Sequence, residues 1–548
     1  MNNLHRTLLV AAALGAGVAG ADACTSLIAA KGATADGSTM ITYAADSHTL
    51  YGELYRQPAA DHAPGAMRAV VDWDSAKPLG EIAEVAHTYA TIGNMNEHGL
   101  TIAESTFGCK PEVEGSGLID YGSLIYITLQ RARTARAAVD TMTSLVARYG
   151  YASGGESFSI ADPDEVWIME MVGRGADDPG ALWVARRVPD GHISGHANHS
   201  RIHRFPKDDP QTLYSPDVVD YARAHGLYQG SDDDFSFSRA YAVTDAGALR
   251  GCDARVWAYF RKFAPEGTMD AYESWILRGQ GDPMPLWVEP KAPLSADDLK
   301  WMMRDHFEGT CLDMTQDVGA GPFKVPYRWR PMEYEVDGST YTHERAIATQ
   351  QTGFSFVANM NSGRHDAMKG ILWFGVDDAN TCVYVPVFSS VDAIPPCLDG
   401  ANADLLRLSW DSMFWVNNFV ANQAYNRYSA MIGDIRRVQS DIESRAAAAV
   451  DSAAAAVAEM DFADARRHLT DVTVDFAQTT TGEYRDLGQY LFVKYLDGNI
   501  KRESNGAFER NEWGTPVQPV FGGYDDGRYF RAIVDDAGER LRVQPVEL

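Results

Sequence analysis

The sequence lacks the short motifs that mark several large classes of enzymes and metal-binding domains. None of its six cysteines stands in a Cys-x-x-Cys pair. There is also no phosphate-binding glycine loop, no Gly-x-Ser-x-Gly elbow and no His-Glu-x-x-His motif. Each of these motifs places its reactive groups by local spacing alone. Zinc-ribbon, thioredoxin-like, P-loop and zinc-protease functions therefore have no support in this chain.

Positive charge is scarce. The 548 residues include 48 Lys and Arg against 75 Asp and Glu, which gives a formal net charge of −27. An acidic surface of this kind argues against nucleic acids and anionic membranes as partners. With 45% hydrophobic and 11% aromatic residues, the chain can build a large core. Its length predicts two to four domains, or one large α/β unit with a helical appendage.

Long hydrophobic runs are missing except near the start. The apolar run over residues 8–20 is shorter than the roughly 18–20 residues of a membrane span. Arg6 precedes it and Ala21-Asp22-Ala23 follows, the arrangement of a signal peptide and its cleavage site. We therefore predict that residues 1–23 are removed. The mature protein is then exported to the periplasm or secreted, without stable membrane insertion.

Cleavage after Ala23 makes Cys24 the first residue of the mature chain. A thiolate is a strong nucleophile, and a free α-amine with a pKa of about 8 can take up the thiol proton. The same position also fits a lipoprotein, in which the cysteine is acylated, or an incidental cysteine. If Cys24 stays free, the other five cysteines leave at least one more unpaired thiol.

The residues after Cys24 predict a β-hairpin. The β-type run over residues 24–30 is followed by the turn signal Asp36-Gly37 and a second run over residues 38–44. Because the two strands are antiparallel, Asp46 and His48 should return close to Cys24.

Further patterns predict a mixture of strands and helices. Apolar residues at steps of three and four begin near Asp404 and predict helices that pack on a sheet. The region after residue 516 is predicted as strands and turns. The other predicted elements are strands at 101–103, 158–161, 166–171, 182–185, 354–357 and 381–386, and a helix over 121–147.

Several motifs together resemble one known family. They are Cys24 to Met40, Asp46-Ser47, Ile92 to Leu100, Gly155 to Asp162, His196 to Ile202, and Ala254 to Trp257. This ordered series resembles the C69, dipeptidase A-like peptidases. These are N-terminal-nucleophile hydrolases related to penicillin V acylases and bile salt hydrolases. The resemblance implies an α+β fold, an αββα four-layer sandwich over residues 24–400. A mainly helical region over 401–548 should pack on it.

The resemblance also implies roles for five residues. Cys24 is the nucleophile, Asp46 orients its amine or the substrate's, and Asn96 donates to the oxyanion. Asn198 is a second active-site asparagine, and Arg255 stabilises the region of the nucleophile. One departure concerns Tyr43, because many members of the family have an arginine a few residues before the aspartate. A tyrosine donates a hydrogen bond but brings no permanent charge.

We therefore expect a cysteine dipeptidase that hydrolyses dipeptides through an acyl-thioester, without cofactor or metal. A homo-oligomer is compatible with the sequence. The alternatives are an N-acyl amide hydrolase of the penicillin V acylase type and a non-catalytic, lipid-anchored envelope protein. A Cys24–His48 pair also remains an alternative. His196, His199 and His203 could suggest a metal site, but we interpret them as exposed polar residues.

Overall fold

The computed structural model describes residues 24–524 and 527–546. The predicted signal peptide, residues 1–23, lies outside the described residues. The described chain combines two large antiparallel sheets with helices, which confirms the α+β class. The boundary expected near residue 400 stays a prediction.

The first sheet contains the predicted hairpin. Its two strands, Ser26–Ala29 and Thr39–Asp46, pair antiparallel with Ile28 opposite Ile41, and a bridge joins Thr25 to Ala44. The second strand is buried along its whole length and has sheet neighbours on both sides. The order of the seven strands across this sheet is Trp287–Val288, Ile193–His196, Ser26–Ala29, Thr39–Asp46, Thr352–Met360, Gly370–Val376 and Val385–Phe388.

The second sheet has eight strands, and four of the predicted runs form its centre. The runs predicted near residues 101, 158, 166 and 182 are confirmed, each in a somewhat longer strand. The strand order is Thr212–Tyr214, Leu182–Arg187, Val166–Val172, Gly155–Ala161, Thr101–Phe107, Met95–Asn96, Thr91–Ile92 and Arg56–Gln57.

The two sheets meet through polar side chains as well as apolar ones. Ser105 and Ser159 of the second sheet lie 2.6 and 2.8 Å from the two ring nitrogens of His196 in the first sheet. His196 is fully buried, so the prediction that the histidines of this region are exposed is wrong. Burial, together with the nearby charges of Arg201 and Arg255, lowers the pKa of His196 to about 3. A neutral imidazole therefore joins the sheets.

Two helices, not one, pack on the second sheet. The helix predicted over 121–147 is divided into Tyr121–Leu129 and Ala135–Tyr149. The second helix begins after Thr134, whose hydroxyl accepts from the backbone N–H of Ala137 at 3.2 Å. Asp162 accepts from the first N–H of that helix at 2.7 Å. These caps start a new helix where the apolar pattern had suggested a continuous one.

The late helices contact the far strands of the first sheet and begin later than the pattern near Asp404 indicated. They span Met413–Asn426, Tyr428–Val457 and Phe462–Lys494. Leu406 and Trp410, two apolar residues of the pattern that begins near Asp404, precede these helices and are exposed, so they do not contribute to the packing.

Two further predictions need correction. Within the range 381–386, only residues from 385 onward form a strand, Val385–Phe388, which completes the first sheet. The tail predicted as strands and turns contains the helix Gly527–Ala537.

The remaining elements are shorter. The helices are Val218–Ala224, Phe237–Tyr241, Ala254–Phe263, Glu273–Arg278 and Ala296–Met302. The two-stranded pairs are Ala60–Asp61 with His87–Thr88, Met67–Val71 with Pro78–Ala83, Glu333–Val336 with Ser339–Thr342, and Glu503–Ser504 with Ala507–Phe508. Within the described part of the chain, none of the helices is both long and apolar enough to cross a bilayer.

Candidate active site

Cys24 opens the first sheet and lies against a cavity of about 320 Å³. Only 4% of Cys24 is exposed. All six cysteines of the chain are free thiols. The sulfur is 3.4 Å from Glu104 Oε1 and 3.7 Å from Tyr43 Oη, and the Tyr43 hydroxyl donates to the same carboxylate oxygen. The predicted first residue of the mature chain thus has a thiol at the base of a small cavity.

Glu104 and Glu156 are buried carboxyl groups on neighbouring strands. Glu156 pairs with Thr106 across the sheet, so Glu104 and Glu156 are diagonal neighbours on one face. Burial raises the pKa of both groups, and the charge of Glu104 raises that of Glu156 further. Glu104 Oε2 and Glu156 Oε1 accept no hydrogen bond from the other described groups. A proton on Glu156, donated to Glu104, gives both oxygens a partner.

The surroundings of the sulfur favour the neutral thiol. Burial raises the pKa of Cys24 well above its ordinary value, and the negative charges of Glu104 and Asp46 add to that effect. The backbone N–H of Asp46 and the hydroxyl of Tyr43 oppose it only in part. A protonated thiol is a weak nucleophile, so attack by this sulfur requires a base that removes the proton.

Arg255 fixes the backbone around the nucleophile. It lies in the helix Ala254–Phe263 and is fully buried. One guanidinium nitrogen donates to the carbonyl of Cys24 at 2.7 Å and to the hydroxyl of Thr25 at 2.6 Å. A second donates to the carbonyl of Ala197 at 3.2 Å and to Asn198 Oδ1 at 2.8 Å, and the third donates to the carbonyl of Gly251 at 2.8 Å. Burial and the charge of Arg345 lower the pKa of Arg255 to about 10, so it stays a cation at neutral pH.

Asn198 is held in place from both sides. Its side-chain amide donates to the carbonyl of Thr106 at 2.7 Å, while its oxygen accepts from Arg255. Its backbone N–H donates to the Ser105 hydroxyl at 3.2 Å. Its φ of +56° lies in the left-handed region, which asparagine tolerates better than most residues. The structure therefore brings Asn198, Arg255 and the backbone of Cys24 together.

Asp46 lines the same cavity but is neutralised from behind. Arg345 forms an ion pair with the carboxylate of Asp46, and the hydroxyl of Thr352 donates to its Oδ1 at 2.6 Å. The side-chain amide of Gln351 donates to the backbone carbonyl of Asp46 at 3.2 Å. The hairpin thus brings Asp46 to Cys24 as predicted. The sequence pattern gave no sign of Arg345, which is about 300 residues distant along the chain.

The profile of peptidase family C69 matches residues 23–441. The chain belongs to this family. It is 23% identical over 506 residues to a probable dipeptidase of Latilactobacillus sakei, covering 87% of this chain and 98% of that protein. A dipeptidase of Bifidobacterium longum is 23% identical over 461 residues, 76% of this chain and 80% of that protein. A probable dipeptidase of Salmonella dublin is 26% identical over 315 residues, 53% of this chain and 68% of that protein.

Membership of C69 makes this protein a peptidase and confirms the resemblance seen in the sequence. Tyr43, the departure noted in the sequence, lies beside the sulfur. The hydroxyl of Tyr43 donates to Glu104, and no lysine, arginine or histidine is among the described residues that line the cavity. The side chain beside the sulfur is therefore a neutral donor.

Asn96 does not reach the cavity of this C69 site. Both hydrogens of its side-chain amide go to the carbonyls of Leu129 and Ala132, each at 2.8 Å. Its oxygen accepts from the N–H groups of His98 and Leu100. These bonds use the whole amide to join a turn to a helix end. The structure thus does not place Asn96 where it could donate to an oxyanion at Cys24.

Asn94, two residues earlier, lines the cavity instead. One hydrogen of its side-chain amide goes to the carbonyl of Ile102 at 2.9 Å, and a primary amide has a second hydrogen. Sequence reasoning missed this residue because both asparagines belong to one motif. The sequence signal that favours Asn94 is the preceding Gly93. In the structure Gly93 has a φ of +51° and lies in the turn between two short strands.

The histidines have other partners. His48 lies in a separate recess with Arg328 and Arg330, so the structure does not support a pair with Cys24. His199 is buried and lies 2.9 Å from Asp253, which raises the pKa of His199 despite burial. Within residues 24–524 and 527–546, no group of His, Cys, Asp and Glu has the arrangement of a metal site.

Proposed function

We propose that this protein is an exported cysteine dipeptidase with N-terminal Cys24 as its nucleophile. Removal of residues 1–23 would free the α-amine of Cys24. The contacts between the two sheets, and the helices that pack on each of them, support the αββα sandwich of N-terminal-nucleophile hydrolases as its fold. The helices after residue 400 would form an extension packed on this catalytic unit.

One observation carries the proposal: the thiol of Cys24 lies at the base of the cavity, at the residue where the predicted cleavage would create a new N-terminus. The relatives named as dipeptidases support the reaction class. The acidic groups of the lining support a dipeptide rather than an N-acyl amide, because they would stabilise the free ammonium group that only the dipeptide has. Four carboxylates line this cavity: Asp46, Asp72, Asp74 and Glu104.

In the proposed mechanism, the α-amine of Cys24 takes the thiol proton while the sulfur attacks the peptide carbonyl. The side-chain amide of Asn94 donates to the oxyanion, and Asn198 keeps its predicted part in holding the oxyanion or the substrate. Collapse of the tetrahedral intermediate breaks the C–N bond of the peptide, and the α-amine of Cys24 gives its proton to the leaving amino group. Water then hydrolyses the acyl-thioester. Arg255 acts on the position of the nucleophile through the carbonyl of Cys24, 2.7 Å away.

The test expresses the full chain in a host that exports it, followed by intact-mass measurement, N-terminal sequencing and hydrolysis of a dipeptide panel. We expect a chain that begins at Cys24 and loses hydrolysis in Cys24→Ala. Cys311→Ala is the matched control, because this exposed cysteine lies outside the cavity. The control should hydrolyse dipeptides as the wild type does.

Three results would contradict the proposal. A mass increase equal to a diacylglyceryl group would show a lipid anchor, whose acylated amine can no longer act as a base. Hydrolysis that persists in Cys24→Ala would assign the reaction to another site. Hydrolysis of N-acyl amides with no hydrolysis of dipeptides would favour the acylase alternative.

A further inference from the structure

The cavity beside Cys24 carries an excess of negative charge. Among the described residues that line it are Asp72, Asp74 and Glu104, but no lysine, arginine or histidine. Asp46 also lines it and has Arg345 behind it. The negative charge of Asp74 raises the pKa of Glu104, so the carboxylates influence one another across the cavity. Each of them would be stabilised by a cation in that space.

Aromatic rings form one wall of the same cavity. Trp73 and Tyr126 stack with their ring centres 4.6 Å apart, and Tyr55 meets the edge of Trp73 at 5.4 Å. Gly122 permits this arrangement, because a Cβ there would lie 2.4 Å from the Trp73 ring. The faces of such rings attract cations, most strongly where water is excluded.

The cavity has a buried end and an open end. Glu104 is buried against the sulfur, whereas Asp72 is half-buried and Asp74 is exposed. The hydroxyl of Tyr121 donates to Asp74 at 2.8 Å, which holds this carboxylate at the aromatic wall. Acidic groups therefore lie both at the reacting thiol and at the entrance.

We propose that this cavity selects dipeptides whose N-terminal residue has a cationic side chain, lysine or arginine. The inference rests on the proposed function, in which Cys24 attacks the carbonyl of the N-terminal residue and so places that residue's side chain in the cavity. Every dipeptide has one α-ammonium group, which the carboxylate of Glu104 suffices to bind. Asp72, Asp74 and the aromatic wall then bind a second positive charge.

The test compares kcat/KM for lysyl-alanine with kcat/KM for norleucyl-alanine, whose side chain is a similar linear chain without the charge. We expect lysyl-alanine to be favoured on the order of tenfold. The ratio should fall toward one in Asp72→Asn and in Asp74→Asn, since asparagine can still accept the hydrogen bonds of Ser75 and Tyr121. Using the ratio cancels any loss common to both substrates.

Asp140→Asn is the matched control, because it removes an equal charge from an exposed helix position outside the cavity. We expect the control to keep the wild-type ratio. The preference should also weaken in 1 M salt, where charges beyond about 3 Å are screened. A wild-type ratio of one or less would overturn the inference, as would a ratio unchanged in both cavity variants.

Failure of the proposed function gives a different result. If the wild type hydrolyses no dipeptide, the binding of both dipeptides to Cys24→Ala is measured by calorimetry. Tighter binding of lysyl-alanine would then support the inferred selectivity for a cationic side chain, while the proposed dipeptidase reaction would be wrong. Equal binding, or none, would overturn the inference as well.

Discussion

The paired carboxyl groups of Glu104 and Glu156 predict that stability falls as the pH rises. Both groups are buried, and burial raises their pKa above the ordinary value of 4.5. In the unfolded chain both lose their protons near pH 4.5, while the folded protein still retains one between them. The unfolded state then binds fewer protons than the folded state. Folding is therefore progressively disfavoured from about pH 4.5 up to the raised folded pKa.

Replacing Glu156 by glutamine should remove this loss. The glutamine amide cannot be deprotonated, and it donates to Glu104 Oε2 as the shared proton does. Each proton retained on folding contributes a slope of up to about 1.4 kcal/mol per pH unit. The variant should therefore match the wild type near pH 4. It should gain stability over the wild type at each step toward pH 7.

Urea unfolding of both proteins at pH 4, 5, 6 and 7 measures the difference. Glu81→Gln, at an exposed strand position, is the control and should give a difference near zero throughout. A Glu156→Gln protein that is less stable than wild type at pH 7 would refute the reasoning. So would a difference that does not change with pH, because the two carboxyls would then not share a proton.

Two other substitutions test the site. Asn94→Ala should lower kcat on the order of 100-fold, which corresponds to about 3 kcal/mol. Asn96→Ala should instead lower the melting temperature. Steady-state kinetics measures the first effect and calorimetry the second. Equal losses of kcat would contradict the reassignment from Asn96 to Asn94. Arg255→Lys should lower the free energy of unfolding by about 2–3 kcal/mol, since one ammonium cannot reach all five oxygens that the guanidinium bonds and an unsatisfied buried oxygen costs about 1–3 kcal/mol. A variant as stable as wild type in urea would show that these bonds add little.

Local pattern predicted the elements whose residues are close together in the sequence. The hairpin from Ser26 to Asp46 needs only two β-type runs and the turn at Asp36-Gly37, so the sequence sufficed to predict it. The strands of the second sheet were predictable for the same reason. The helix break between Leu129 and Ala135 was not, because one of its caps is Asp162, which lies in another element.

The site was predictable in its chemistry but not in its details. The motifs pointed to Cys24, Asp46, Asn198 and Arg255 as candidates, and the structure brings these residues close together, while their roles stay predictions. They could not separate two asparagines two residues apart, since the choice depends on which one faces helix carbonyls. Glu156 gave no signal either. Its pairing with Glu104 results from strand register, which sequence alone does not fix.

The contacts of Arg255 also bear on the proposed removal of residues 1–23. Arg255 donates a hydrogen bond to the backbone carbonyl of Cys24, and the β-bridge to Ala44 holds the following residue, Thr25. Every one of these anchors lies on the C-terminal side of the Cys24 α-carbon. These contacts from the later part of the chain would remain if residues 1–23 are removed as proposed. Any protease that leaves Cys24 first would yield the same catalytic geometry, and a foreign leader sequence could replace the native one without redesign of the site.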